Sequence, residues 1–207
     1  MFKMRTLFKI FNWYVQSLWL HTSFKNSFRK IKMSKKEMVN TYQVIDNLLP
    51  KEEFNLLLNT VTRKNQFNWF YQDSVSTEND QDKSHFYFVH KLYENDSPIS
   101  NYFYELQNIW KALKNNNHTI KTMIRAKVNL YTKTPQIIEH AMHKDFEFEH
   151  KGALFSLNSC DGYTLLEDGT KIDSVANRML IFDASKNHAS TSCTNQNVRM
   201  NINLNFF

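Results

Sequence analysis

After Asn117 the chain shows no long helical period, and its apolar residues come only in short runs. Residues 123–131, 153–157, 164–166, 178–182 and 198–206 each read as a strand. All three glycines, Gly152, Gly162 and Gly169, lie inside this region, and Asp168-Gly169 is a hairpin signal. Strands this short bury their apolar sides only against a second sheet or by closing on themselves. The first half of the chain differs. Residues 42–49 form an apolar, strand-like run ending at Pro50. Pro50 opens a helix with Glu52 and Glu53 in its first turn, where the helix dipole favours acids. Phe54, Leu57, Leu58 and Val61 then recur at helical spacing. Residues 67–71 and 85–92 are aromatic, strand-like runs on either side of an acidic loop at 74–83. Pro98 is expected to open a second helix, with Ile99, Phe103, Leu106, Ile109, Trp110 and Leu113 along one face. The expected class is mostly β (α+β), with N-terminal helices packed on an antiparallel double sheet.

At 207 residues, 42% of them hydrophobic, the chain supplies one full core and is short for two. Two cysteines cannot build a disulfide scaffold, and no C-x-x-C pair marks a zinc ribbon, so a reducing, cytoplasmic setting is expected. The net charge of +6 is unevenly placed. Lys3, Arg5, Lys9, Lys25, Arg29, Lys30 and Lys32 give residues 1–32 seven positive charges and no acid. That leaves 19 of the 26 basic residues against 20 acidic ones in the rest. A near-neutral body argues against broad phosphate-backbone binding. Residues 1–32 are expected to lie outside the fold, with the domain at 33–207. The leader's apolar run from Ile10 to Leu20 is broken by Asn12, Gln16 and Ser17. It falls short of the roughly 20 apolar residues that span a bilayer. Three readings stand for the leader: a basic amphipathic helix on a membrane surface, a targeting segment, or sequence upstream of a start at Met33. Any membrane contact is expected through it alone.

The chemistry-bearing candidates lie in the strand region. In extended backbone, residues i and i+2 share a face, so His143-Lys144-Asp145 presents an imidazole and a carboxylate together. Alone, H-x-D is a common accident. His188 follows an apolar run and a short polar turn, where a lone histidine is more often a hydrogen-bonded loop residue. In the alternating closing run, Val198, Met200, Ile202 and Leu204 face one way, and Arg199, Asn201, Asn203 and Asn205 the other. An arginine on such a face is ordinarily solvated. Taken together, two histidines and a carboxylate form the facial ligand set of non-haem Fe(II) sites. An arginine beyond them suits a two-pronged clamp on a dicarboxylic acid. The rivals are weaker. His140 and His143 have no further zinc ligands at finger spacing. His85 and His90 point to opposite faces of a strand. Cys160 and Cys193 have no activating neighbour. There is no G-x-S-x-G elbow and no phosphate-binding glycine loop.

His143-x-Asp145, then His188, then Arg199 eleven residues later resembles the 2-oxoglutarate/Fe(II)-dependent oxygenases. Residues 125–131 resemble that family's strand before the H-x-D, residues 157–164 its central strand and hairpin, and residues 177–182 the strand leading to the distal histidine. Asn177 stands where relatives often have Gly, and Asn tolerates positive φ. The resemblance covers residues 120–207 well and 33–119 in outline. It implies a distorted double-stranded β-helix, or jelly roll. It implies a catalytic Fe(II) held by His143, Asp145 and His188, with 2-oxoglutarate as co-substrate, O₂ as oxidant and ascorbate as a supporting reductant. Arg199 would bind 2-oxoglutarate, with Tyr131 and Asn129 adding hydrogen bonds. The implied reaction hydroxylates a protein side chain or small molecule while 2-oxoglutarate is decarboxylated to succinate, and the prolyl-hydroxylase-like branch leads. Alkylation-repair dioxygenases share the Asn129-x-Tyr131 pair and the H-x-D, but generally carry a second arginine six residues after the first. That place is Asn205, so a nucleic-acid substrate ranks lower. The alternative from another class is a non-catalytic cupin-type binding module, which has no use for Arg199.

Overall fold

The closing run sits in the middle of a sheet. In the computed structural model, which describes residues 42–63, 66–75 and 86–207, two antiparallel sheets face each other and helices cover the outer face of the larger. The elements are β1 (Tyr42–Ile45), α1 (Lys51–Thr62), β2 (Phe70–Gln72), β3 (Tyr87–Glu94), β4 (Ser97–Pro98), a 3-10 helix (Asn101–Leu106) and α2 (Gln107–Asn115). They continue as β5 (Met123–Thr132), β6 (Lys151–Ser156), β7 (Tyr163–Leu166), β8 (Lys171–Asp173), β9 (Met179–Asp183), β10 (His188–Ser190) and β11 (Val198–Phe206). The larger sheet runs β1-β9-β6-β11-β5-β3-β2, with β4 hanging on β3, and the smaller runs β10-β7-β8. This is the expected jelly roll. The basic leader, its boundary at Met33, His85 and most of the 74–83 loop lie outside the described residues. Among the described residues no helix is long and apolar enough to cross a membrane.

Alternation along β11 separates two interiors. Met200, Ile202, Leu204 and Phe206 join Val128, Phe155, Leu57, Ile109 and Leu113 in the core under the helices. Each side chain of this size contributes about 1.5–3 kcal/mol when fully buried. The ring of Phe54, on the apolar stripe of α1, meets Phe155 edge-on at 6.0 Å. Arg199, Asn201, Asn203 and Asn205 fill the other face, and all four are buried. The ordinary reading of such a face as solvated does not hold here, and Arg199 lies deep, as a clamp requires. Groups from the smaller sheet and from the segment before β6 cover this face.

Local departures have local causes. Pro98 closes a hairpin instead of opening a helix. Asn95 and Asp96 take φ 52° and 58°, the two left-handed positions of a tight two-residue loop, so β3 turns back onto β4. The helical turn waits for Ser100, whose hydroxyl accepts from the Tyr102 N–H at 3.3 Å. β1 stops at Ile45, shortly before Asn47 turns the chain at φ 52°. Asn177 has the expected positive φ, 63°. Its amide also accepts from the Leu49 N–H at 3.0 Å and donates to the Leu49 carbonyl at 2.8 Å. Glycine would allow the φ and supply neither bond.

Candidate metal centre

His143 and Asp145 lie in the long connection from β5 to β6. No regular strand forms there. Instead His143 and His188 exchange backbone hydrogen bonds, N–H to carbonyl, both 2.9 Å. Asp145 N–H donates to the Ala184 carbonyl at 3.2 Å. This short bridge lays the H-x-D against the start of β10. The ligand atoms of His143, Asp145 and His188 consequently lie within 4.8 Å of one another.

Each imidazole is oriented by a carbonyl. His143 Nδ1 faces the Ala141 oxygen at 3.1 Å, and His188 Nδ1 faces the Lys186 oxygen at 3.0 Å. A carbonyl only accepts, so Nδ1 carries the proton in both rings and Nε2 keeps its lone pair. Burial, helped by the neighbouring His188, pushes the His143 imidazole below its ordinary pKa and favours its neutral form. Asp145 is held from three sides. Arg125 Nη2 donates to Oδ1 at 2.5 Å, Asn205 Nδ2 donates to Oδ2 at 2.9 Å, and His188 Nε2 lies 3.8 Å from Oδ2. Burial alone would raise this carboxyl's pKa. The charges of Arg125 and Lys127 and the Asn205 hydrogen bond outweigh it and hold the group well below the usual carboxylate range.

Arg199 is 2% exposed. Its Nε donates to Ser174 Oγ at 2.6 Å, Nη1 to the Thr191 carbonyl at 3.0 Å and Nη2 to Thr164 Oγ1 at 3.1 Å. All three acceptors are neutral, and no carboxylate among the described residues pairs with the guanidinium. Tyr131 is directly opposite on β5, with its ring centroid 5.6 Å from Arg199 Cζ. Asn129 is buried on the same face, but its amide donates to Asn201 Oδ1 at 3.0 Å. The pairing gives Asn201 a partner as well.

Arg125 and Lys127 carry site roles that composition and spacing did not mark. They sit in a run that reads only as a strand, and their surroundings depend on the register with β11 and β3. The position of a second arginine on β11 is Asn205, yet Arg125 stands directly across from it and brings a guanidinium to the same carboxylate. The rival candidates take ordinary places. His90 is a hydrogen-bonded core residue, between the Asn68 carbonyl at 2.6 Å and Ser100 Oγ at 2.8 Å. His140 hydrogen-bonds Ser190 and stacks on Tyr131. Cys160 and Cys193 are free, and burial pushes the Cys193 thiol up to about 11, away from reactivity.

No protein-family model matches the chain, and no curated protein matches it. Solved structures do. A prolyl hydroxylase from Trichoplax adhaerens, in complex with a peptide of the hypoxia inducible factor oxygen degradation domain, has a TM-score of 0.57 and 15% identity over 82% of this chain and 84% of its own. The viral collagen prolyl hydroxylase of Paramecium Bursaria Chlorella virus-1, in its 2OG complex, has a TM-score of 0.55 and 15% identity over 81% and 96%. An oxidoreductase of the 2OG-Fe(II) oxygenase family from Burkholderia pseudomallei has a TM-score of 0.60 and 10% identity over 80% and 85%. The chain shares their fold.

Proposed function

We propose that this chain is an Fe(II)- and 2-oxoglutarate-dependent dioxygenase of the prolyl-hydroxylase-like kind, hydroxylating a protein side chain or a small molecule. One observation carries the reading: His143, Asp145 and His188 converge on the inner face that also buries an arginine with no counter-ion among the described residues. The peptide bound by the Trichoplax adhaerens neighbour supports a protein substrate.

The donor set suits ferrous iron. Two Nε2 lone pairs and one ionised carboxylate would hold such a metal and would leave room for further ligands. When bound, iron and 2-oxoglutarate supply the oxidising chemistry, in which O₂ is consumed and 2-oxoglutarate leaves as succinate and CO₂. The chain's own groups do the rest. The Ala141 and Lys186 carbonyls fix the two rings in the tautomer that binds a metal. Arg125 and Asn205 keep Asp145 ionised and aimed at His188. Arg199 provides the charge for a carboxylate of the co-substrate, and the Tyr131 ring walls that place.

The experiment is succinate release on adding Fe(II), ascorbate and 2-oxoglutarate without substrate. Wild type is expected to turn over slowly. Asp145→Ala is expected to fall to background while keeping a wild-type circular dichroism spectrum. Succinate from the folded variant at the wild-type rate would reject the assignment.

A further inference from the structure

The inner face carries more positive charge than the metal centre uses. On β5, Ala126, Val128 and Leu130 pack in the core under the helices, so Arg125, Lys127, Asn129 and Tyr131 turn to the other side. Arg125 has an acid, Asp145, at 2.5 Å. Lys91 lies directly across from Lys127 on β3 and has its own acid, Glu94, at 2.9 Å. Lys127 pairs with no carboxylate among the described residues. Its ammonium lies 5.8 Å from the centroid of the Tyr87 ring, and the residue opposite on β11 is the neutral Asn203. Like charges directly opposite weaken a strand pair, and a half-buried cation without a counter-ion is costly. Burial, with Arg125 and Lys91 nearby, brings the Lys127 amine down to about 8. An arriving anion would remove that strain.

The place of this cation separates it from the co-substrate's arginine. Arg199 is opposite Tyr131, and Lys127 is four residues back along β5, about 13 Å by strand rise. Lys127 nonetheless lies beside the metal centre: Asn203, directly opposite it on β11, brings its amide nitrogen to 3.5 Å from Asp145 Oδ2. Resting on the oxygenase reading, we propose that the substrate carries a carboxylate or phosphate close to its reacting carbon, and that Lys127 binds this anion and sets specificity. The anion belongs to a free small acid or to an acidic side chain of a peptide; the chemistry of recognition is the same.

The test uses matched acidic and neutral probes on the full chain with Fe(II) and 2-oxoglutarate. The pairs are N-acetylaspartate with N-acetylasparagine, glycerol 3-phosphate with glycerol, and the blocked tripeptides Ala-Asp-Ala with Ala-Asn-Ala. The readout is succinate released above the substrate-free rate, expressed as the acid-over-neutral ratio of kcat/KM. Both members of a pair are measured on one variant, so a general loss of activity cancels. Wild type is expected to prefer an acidic member, and the arm that responds identifies the source of the anion. Lys127→Met should shrink the ratio about tenfold or more, while Lys127→Arg keeps most of it. Preference for neutral members, no response to any acidic one, or an undiminished ratio in Lys127→Met would overturn the inference. So would a 2-oxoglutarate KM that rises in step with the loss, because Lys127 would then serve the co-substrate. Wild type that releases no succinate even without substrate would sink the oxygenase reading, and this inference with it.

Discussion

Arg199 keeps its position through three neutral partners and one absent side chain. A Cβ at Gly162 would stand 2.5 Å from the Ser192 carbonyl and 2.8 Å from Arg199 Cδ. The Arg199 stem and the Ser192 backbone thus pass where only a glycine leaves room. Arg199→Ala is expected to raise the 2-oxoglutarate concentration needed for half-maximal succinate release about thirtyfold or more, the loss of a buried charge pair. Metal affinity should change far less. Gly162→Ala should show the same defect together with lost stability, because its nearest clash is with the Ser192 backbone, beside the Thr191 carbonyl that holds Arg199. Titrations of 2-oxoglutarate and of Mn(II) followed by intrinsic fluorescence separate the two, and unchanged 2-oxoglutarate affinity in Arg199→Ala would reject the assigned role. The set of His143, Asp145, His188 and Arg199 was legible because four residues of three types stand in the order and spacing that the resemblance implies. The burial of Arg199 followed from its place in that set and not from alternation. Alternation separates the two faces of β11 but is silent about which faces are covered. Lys127 was illegible for a related reason: its meaning depends on Lys91, Asn203 and Tyr87, which other strands deliver.

At the scale of elements, the metal centre joins pieces that hold each other weakly. His188 begins a strand of three residues, and His143 meets it through one isolated bridge. A cation bound by both rings and by Asp145 would tie the 143–145 segment, β10 and, through Arg125 and Asn205, the centre of the larger sheet. Binding to the folded state alone stabilises by about 2.7 kcal/mol at a hundred times Kd. For a domain of this size, that is a rise in Tm of about 5–10 °C. Mn(II) or Ni(II) added before a thermal melt should give this shift in wild type and little in His188→Ala. An equal shift in the variant would mean that the ion binds elsewhere. The longer strands and α1 were readable from periodicity alone. β8 and β10 were not, since three residues do not display a period, and β4 was hidden because the Asn95-Asp96 turn overrode the usual reading of Pro98.

At the scale of the whole molecule, sequence order and spatial order disagree. β11 comes last among the described strands, yet it lies between β5 and β6 and forms one wall of both interiors. A chain ended at Asn197 would leave two long strands with bare edges in the middle of the sheet, a template for intermolecular pairing. It is expected to be protease-sensitive and aggregation-prone, and a peptide of residues 198–207 added in trans should restore protection in part by strand addition. A truncated chain as resistant as wild type would show that the sheet closes without β11. The same disagreement has a consequence in time. A ribosome delivers residues in order at roughly 5–20 per second, so β5 waits several seconds for the strand that completes it. During that wait its inner side exposes Arg125 and Lys127 to solvent, and these charges discourage neighbouring nascent chains from pairing there. Cations assigned to the finished site would then also protect the unfinished chain, and neutralising them should cost yield during synthesis even where the completed protein is stable.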